Sequence, residues 1–284
     1  PIIGSIAKKI MGIDSRRSIP KYSVKTFESW YKKHASERVK SESKVYLYVD
    51  EFINFLESHI AIKTVLLLNV LGIEVIMLPY RDSCRSLISK GFLEEAKVKV
   101  NNFIKEIDYT ANDNIPILGI EPSSILGFRD DYHRLVDTDK KASLDKMSSK
   151  TFLIEEYLAD LFSKNASLKD QFMDEEKTIS YHGHCHQKAL SSSKFAIDIL
   201  NFPPHYTAEE IPSGCCGMAG SFGYEHYDLS MNIGEMVLFP AIRDKKGKNS
   251  ICASGTSCRH QIKDGTSVKA QHPIEILHAA LTMN

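Results

Sequence analysis

The sequence has no excess of charge of either sign. Its 284 residues include 36 lysines and arginines and 36 aspartates and glutamates, which gives a formal net charge of +0 at pH 7. Proteins that hold nucleic acid or an anionic membrane through their overall field carry an excess of positive charge. The charge balance therefore argues against nucleic acid as a partner.

Long apolar runs and a glycine-rich dinucleotide motif are also absent. The longest apolar run, from Thr64 to Gly72, is far shorter than the roughly 20 residues that a membrane-spanning helix needs. No Gly-x-Gly-x-x-Gly segment follows a strand pattern, so the usual dinucleotide-binding fingerprint is missing. Hydrophobic residues (43%) and charged residues (25%) occur at ordinary globular levels, and the length suits two domains of about 100 to 150 residues.

Positive charge is concentrated in the amino-terminal part of the chain. Residues 1–45 contain eleven lysines and arginines against four acidic residues, a net charge of +7. We interpret residues 1–43 as a basic arm that is either solvated or docked onto an acidic neighbouring domain. A signal peptide has a charged segment, then an apolar segment, then small residues at the cleavage site, and the first residues do not show this order. We expect a cut or processed end there.

Strand and helix patterns occur twice in the same order. In each half, a strand, a helix, a strand, a helix and a strand follow one another. The predicted strands are residues 44–49, 72–79 and 115–120 in the first half and 178–182, 206–212 and 250–253 in the second. The predicted helices are residues 60–71 and 91–107 in the first half and 188–201 and 226–243 in the second.

The residues that follow these strands recur at matching distances. In the second half, 31 positions separate Cys185 from Cys216 and 42 separate Cys216 from Cys258. In the first half, 33 positions separate Asp50 from Ser83 and 40 separate Cys84 from Ser124. We therefore predict an α/β protein of two pseudo-repeated βαβ units, with small, mostly parallel sheets, flanking helices and sites at the strand ends.

This repeat divides the chain after the basic arm into three parts. Residues 44–135 form a degenerate first repeat, and residues 178–284 form a second repeat that contains the cysteine cluster. Residues 136–177 form a helical connector, with a helical stretch at 151–162.

Five of the six cysteines lie in the last 100 residues. Cys215 and Cys216 are adjacent, which is awkward for two separate disulfides, and a chain of this size needs no disulfide framework. We therefore expect metal or redox chemistry in a reducing compartment, the cytoplasm.

Four of these cysteines, Cys185, Cys215, Cys216 and Cys258, follow predicted strands of the second half. Because parallel strands place their sites at one sheet edge, we expect the four thiols to converge. Thiolates are soft ligands that suit an iron-sulfur cluster or zinc. Cys252 lies inside an apolar strand and is either a core residue or an auxiliary ligand.

The second half contains the segments HGHCHQKA (182–189), GCCGMAGSFG (214–223), GTSCR (255–259) and HPIE (272–275). Together they resemble the CCG-type cysteine-rich domain. That domain occurs in one subunit of heterodisulfide reductase, in the iron-sulfur subunits of glycolate oxidase and anaerobic glycerol-3-phosphate dehydrogenase, and in fused FAD-linked oxidase/iron-sulfur proteins. The resemblance is strongest to the carboxy-terminal part of the fused proteins.

The resemblance implies a four-iron four-sulfur (4Fe-4S) cluster on Cys185, Cys215, Cys216 and Cys258, with zinc as the alternative. The family often has Cys-x-x-Cys as its last element, but Gly255 stands at the first of these positions here. His182, His184 and His186 alternate along the chain. They are donors to the metal ligands, a replacement for the missing fifth thiol, or plain polar residues, and His184, His186 and Cys252 are the candidates for auxiliary ligands.

The resemblance further implies an electron-transfer module of an FAD-linked 2-hydroxy-acid dehydrogenase of the glycolate, D-lactate or D-2-hydroxyglutarate type. FAD would lie on a separate domain or chain, and the module would pass electrons to an acceptor. We expect no turnover of a hydroxy acid by this chain alone, and a cytoplasmic location that includes peripheral attachment to the membrane. The alternatives are a zinc-stabilised assembly module and a thiol-redox enzyme in which His184 or His186 activates the Cys185 thiolate.

Overall fold

A computed structural model describes residues 8, 10–37 and 39–282. The first seven residues, where we expected a cut or processed end, lie outside the described residues. The strands are β1 (Lys44–Leu47), β2 (Glu74–Met77), β3 (Ile117–Gly119), β4 (Thr151–Leu153), β5 (Lys177–His182), β6 (Tyr206–Glu210) and β7 (Ser250–Ala253).

Helices flank the strands throughout the described chain. The first eight α-helices are α1 (Phe27–Lys33), α2 (Ser58–Val70), α3 (Arg85–Lys90), α4 (Leu93–Glu106), α5 (Pro122–Ile125), α6 (Asp131–Leu135), α7 (Lys141–Ser149) and α8 (Ile154–Lys164). The others are α9 (Cys185–Leu190), α10 (Lys194–Leu200), α11 (Phe222–Glu225), α12 (Tyr227–Met236), α13 (Leu238–Lys245), α14 (Thr256–Thr266) and α15 (Pro273–Ala279). Within the described residues, no helix has the length and apolar character to cross a membrane.

The strands form two parallel sheets, which confirms the predicted α/β class. The first sheet has the order β2-β1-β3-β4 and the second has the order β6-β5-β7. In both sheets the first strand of the half is central, the second strand lies on one side and the third on the other. The two halves therefore share one strand order, as a repeat requires.

The segment after the first repeat also contributes to the first sheet. Residues 151–153, which we assigned to a helical connector, form β4 and pair with β3 in parallel. The helix predicted at 151–162 begins at Ile154 instead. The exact domain boundaries stay a prediction, but residues 136–177 are more than a linker.

The predicted helix 188–201 is interrupted at residues 191–193, between α9 and α10. The predicted helix 226–243 is also interrupted. It forms α12 and α13, with a break at Val237, whose φ is −145° and ψ is −47°. Pro240 explains the break because its ring clashes with the carbonyl four residues earlier, at Met236, and because it has no N–H to donate.

The largest group of buried apolar residues joins the two sheets. It includes Val45 and Leu47 of β1, Ile179 and Tyr181 of β5, and Ile276 of α15. The two halves therefore share this core, and a smaller cluster of buried apolar residues lies within each of them. This packing fixes the strand ends of one sheet relative to those of the other.

Part of the predicted basic arm is buried against the second half. The Arg17 side chain is fully buried, and its guanidinium donates to Gly223 O, Gln261 Oε1 and Ser230 Oγ, each at 2.6 Å. Ser230 Oγ in turn donates to Gly217 O at 2.6 Å. Arg17 is thus an internal support for the loop that contains Cys215 and Cys216, and it is not solvated.

Replacing Arg17 by methionine removes a buried cation and its hydrogen bonds to Gly223 O and Gln261 Oε1, whereas Ser230 Oγ still accepts from Gln261 Nε2 at 3.1 Å. We expect the free energy of unfolding in urea to fall by about 3 kcal/mol. The neighbouring Arg16 provides the control, since it is exposed and pairs with Asp14 and Asp228 at the surface. R16M should change the urea midpoint much less than R17M, and equal midpoints for the two variants would contradict this role.

Candidate metal centre

The three cysteine-containing loops of the second half meet at the carboxyl ends of its strands. Cys185 begins α9 shortly after β5, the Cys215-Cys216 pair follows β6, and Cys258 lies in the first turn of α14 after β7. Because the sheet is parallel, these loops lie at the same edge. All four cysteines line one cavity of about 700 Å³, a volume within the usual range for ligand sites.

The four thiols form a row. Cys185 hydrogen-bonds with Cys215, Cys215 with Cys216, and Cys216 with Cys258. Cys216 and Cys258 are buried, whereas Cys185 and Cys215 are exposed to the cavity. The row therefore runs from the protein interior to the accessible end of the site.

Charge is divided unevenly along this row. Hydrogen bonds from Cys185 and Cys216 lower the pKa of Cys215 to about 2, and the backbone N–H of Gly217 also donates to its Sγ at 3.3 Å. The hydrogen bond from Cys216 lowers the pKa of Cys258 well below its ordinary value. The same contacts raise the pKa of Cys185 and Cys216. The site therefore stabilises two thiolates, and the thiolate is the form that binds metals.

The raised pKa of Cys185 bears on the thiol-enzyme alternative. That hypothesis requires a Cys185 thiolate activated by His184 or His186, but the contact with Cys215 favours the protonated Cys185 thiol. In addition, His184 Nδ1 accepts the backbone N–H of His186 at 3.2 Å and caps α9. The thiol with the greater thiolate character is Cys215.

The first half supplies the opposite wall of the cavity. A π-helical turn at Phe52–Leu56 presents Phe52 and Leu56 to the cavity, and Arg85, Ser89 and Ser123 also line it. The candidate site thus lies between the two halves, and the cysteines that line it all belong to the second half.

Two carboxylates of the first half hold the helix that contains Cys258. Glu121 Oε2 accepts the backbone N–H of Thr256 at 2.8 Å, and Glu57 Oε2 accepts the Thr256 hydroxyl at 2.5 Å. Glu57 also forms an ion pair with the buried Arg259. Arg259 is therefore neutralised by Glu57, and it is not solvated.

His182 is one of the three histidines that we considered as a replacement for the missing fifth thiol, but we did not name it among the auxiliary ligands. It ends β5, is fully buried and has its Nδ1 2.7 Å from Ser213 Oγ. One nitrogen of His182 and the sulfurs of Cys216 and Cys258 all lie within 4.8 Å of one another. The position of His182 as the last residue of a buried strand, directly before the loop that contains Cys185, is the signal that could have identified it.

The two histidines that we expected as auxiliary ligands lie elsewhere around the cavity. A side chain at Gly255 would place its Cβ 2.3 Å from His184 Cδ2, so the His184 ring fills the space beside Gly255. A ring nitrogen of His186 lies within 4.8 Å of carboxylate oxygens of Asp130 and Asp131. Neither histidine belongs to the group that His182 forms with the buried thiols.

The remaining cysteines are separate from the row. Cys252 is fully buried in the core that joins the sheets, and burial raises its pKa well above the ordinary value. Cys84 is buried in the first half, where burial raises its pKa to about 11. The structure thus places Cys252 as a core residue.

Asp50 and Ser124, the other first-half residues that occupy corresponding positions after strands, are also buried. Asp50 is buried and accepts the backbone N–H groups of Phe52 and Ile53 at 2.9 and 3.0 Å, which fixes the π-helical turn. Ser124 is buried within α5.

No family model matches the sequence. One subunit of the anaerobic glycerol-3-phosphate dehydrogenase of Escherichia coli K12 is 27% identical over 273 residues, which are 95% of this chain and 67% of that protein. D-2-hydroxyglutarate dehydrogenase of Haemophilus influenzae is 25% identical over 276 residues, 92% of this chain but only 26% of that protein. Lactate utilization protein A of Macrococcus caseolyticus is 28% identical over 254 residues, 83% of this chain and 96% of that protein. The chain is therefore similar over most of its length to dehydrogenases, a dehydrogenase subunit and a lactate utilization protein.

A buried polar network lies beneath the loop that follows β7. Ser254 Oγ donates to Glu155 Oε1 at 2.5 Å and lies 2.9 Å from Tyr181 OH, which donates to Gln187 Oε1 at 2.7 Å. His272 Nε2 lies 3.8 Å from Glu155 Oε1. Burial raises the pKa of Glu155 to about 7.

The Glu155 carboxyl makes stability depend on pH. Its ordinary pKa is 4.5, so between that value and about 7 the folded protein holds a proton that the unfolded chain has released. The contribution of Glu155 to the stability of the wild type therefore falls as pH rises through this window. E155Q does not ionise, and we expect its stability relative to the wild type to rise from about pH 5 to about pH 7 and then to level off. Urea unfolding of both proteins across this range measures the difference, and a pH-independent difference would contradict the assignment.

Proposed function

We propose that this chain is the iron-sulfur electron-transfer module of an FAD-linked 2-hydroxy-acid dehydrogenase, of the glycolate, D-lactate or D-2-hydroxyglutarate type. The observation that carries the proposal is the meeting of Cys185, Cys215, Cys216 and Cys258 at one cavity. The similarity to dehydrogenases and to a dehydrogenase subunit supports it. In this proposal the four thiolates hold a 4Fe-4S cluster.

The residues at the cavity fit a metal-sulfur group. Two of the thiols have strongly lowered pKa values, as metal ligands require, and a ring nitrogen of the buried His182 lies within 4.8 Å of the sulfurs of Cys216 and Cys258. Gly217 has a φ of +89°, and a Cβ there would lie 2.3 Å from Ser230 O, so the loop after Cys216 requires glycine. Glycine at this position lets the loop pack against Ser230, and the adjoining cavity of about 700 Å³ has room for a group larger than a side chain.

A bound cluster would supply one-electron storage between a flavin, which accepts a hydride pair, and a further acceptor. The chain's own residues would then bury Cys216 and Cys258 and leave Cys185 and Cys215 at the accessible end. Electrons would enter or leave at that end, because the cavity opens there. We place FAD on another domain or chain, and the acceptor outside this chain.

A single zinc ion is the second candidate occupant. The short distances among His182, Cys216 and Cys258 favour it, since donors within 4.8 Å of one another also suit one tetrahedral ion. The protein would then be a structural or assembly module. Iron, sulfide and zinc analysis separates the two functions.

The cysteine assignment can be tested with a matched pair of serine variants. We expect C258S, reconstituted anaerobically with ferrous iron and sulfide, to lose most of the iron and visible absorbance that the wild type binds. C252S removes an equally buried thiol outside the row and should retain them. Equal iron contents for C258S and C252S would contradict the ligand set.

The proposed need for a separate flavin domain gives a second test. We expect the reconstituted chain to show no oxidation of D-lactate, glycolate or D-2-hydroxyglutarate with an artificial acceptor, because its reactive groups are thiols rather than a hydride acceptor. A reduced flavin domain should bleach the cluster absorbance. Turnover by the chain without a flavoprotein would overturn the electron-relay proposal.

A further inference from the structure

The His182 ring is fully buried at the end of β5 that faces the thiols. Nε2 has no nitrogen or oxygen partner, and the hydrogen bond between the His182 side chain and Cys258 helps to lower the pKa of that thiol. The buried ring therefore already contacts one of the thiols of the candidate metal centre. A metal bound by both groups would take the place of this contact and satisfy the nitrogen and the sulfur together.

Ser213 holds the other nitrogen of the ring and permits the tautomer that a metal ligand needs. Ser213 Oγ donates to Ile211 O at 3.4 Å and lies 2.7 Å from His182 Nδ1. With the hydroxyl proton directed to Ile211, Nδ1–H donates to Ser213 Oγ, and Nε2 is left with its lone pair. Metal-bound histidines are held in this way, with the second ring nitrogen donating to a neighbouring oxygen.

His184 has the opposite arrangement. Its Nδ1 accepts the backbone N–H of His186, so the proton of the neutral ring is on Nε2. That nitrogen is a donor, and it lies 4.0 Å from Glu121 Oε1. His184 therefore fills the space beside Gly255 without offering a lone pair to a metal.

We propose that Nε2 of His182 is a ligand of the metal centre, together with the sulfurs of Cys216 and Cys258. The three donors are all buried and lie within 4.8 Å of one another. In a zinc site, one further thiolate would complete the four ligands; in a four-iron cluster, the imidazole would be an additional ligand to one iron. The inference deepens the proposed function, because it rests on the presence of a metal at these thiols.

The experiment detects nitrogen bound to the metal directly. The full chain is produced with ¹⁵N-labelled histidine, reconstituted anaerobically with ferrous iron and sulfide, reduced, and examined by pulsed electron paramagnetic resonance. A parallel sample loaded with zinc alone is examined by X-ray absorption. We expect one strongly coupled histidine nitrogen in the cluster, or one nitrogen ligand on the zinc.

Three variants assign the nitrogen. H182C should retain the metal, because a thiolate replaces the imidazole, and should lose the nitrogen signal. H184N retains a side-chain oxygen that can cap α9, and it should retain both metal and signal. H186Q should likewise retain both the metal and the nitrogen signal. Circular dichroism confirms that each variant is folded, and the wild-type labelling result stands without any variant.

The outcomes separate this inference from the proposed function. A wild-type centre with sulfur ligands alone, or a nitrogen signal lost in H184N and retained in H182C, would overturn the His182 assignment and leave the electron-transfer proposal intact. Failure of the wild type to bind either iron and sulfide or zinc would overturn both.

Discussion

Four thiols share one cavity, and the negative charge that they acquire on ionisation is the constraint on which the rest of the site depends. Neighbouring thiolates repel each other, so hydrogen bonding in the row favours ionisation at Cys215 and Cys258 and opposes it at Cys185 and Cys216. Arg259 cannot supply the missing positive charge, because Glu57 already neutralises it. A metal or metal-sulfur group would allow all four to ionise.

The surroundings hold this row in place from both halves of the molecule. Glu57 and Glu121 of the first half bind the start of the helix that contains Cys258, and Arg17 supports the loop of Cys215 and Cys216 through Ser230. The first half thus contributes a wall and two carboxylate anchors, although it has no thiol in the cavity. The first half is therefore part of a site whose cysteines all come from the second half.

The α/β class and the meeting of the cysteine loops could be predicted because both depend on local patterns. Strand spacing and the position of each cysteine after a strand are visible in the sequence, and parallel pairing then brings the loops to one edge. The burial of Arg17 could not be predicted, since its partners Gly223 and Gln261 are more than 200 residues away. The distinction between His182 and His184 likewise depends on partners, Ser213 and the backbone of His186, that the alternation of histidines does not reveal.

The most direct test of the electron-transfer proposal is metal and sulfide analysis of the chain isolated without exposure to air, together with its visible and electron paramagnetic resonance spectra. We predict about four irons and four sulfides per chain and a paramagnetic signal that appears on reduction. Isolation with one zinc per chain and no sulfide, or with no metal at all, would contradict an electron-transfer role for the cysteine row.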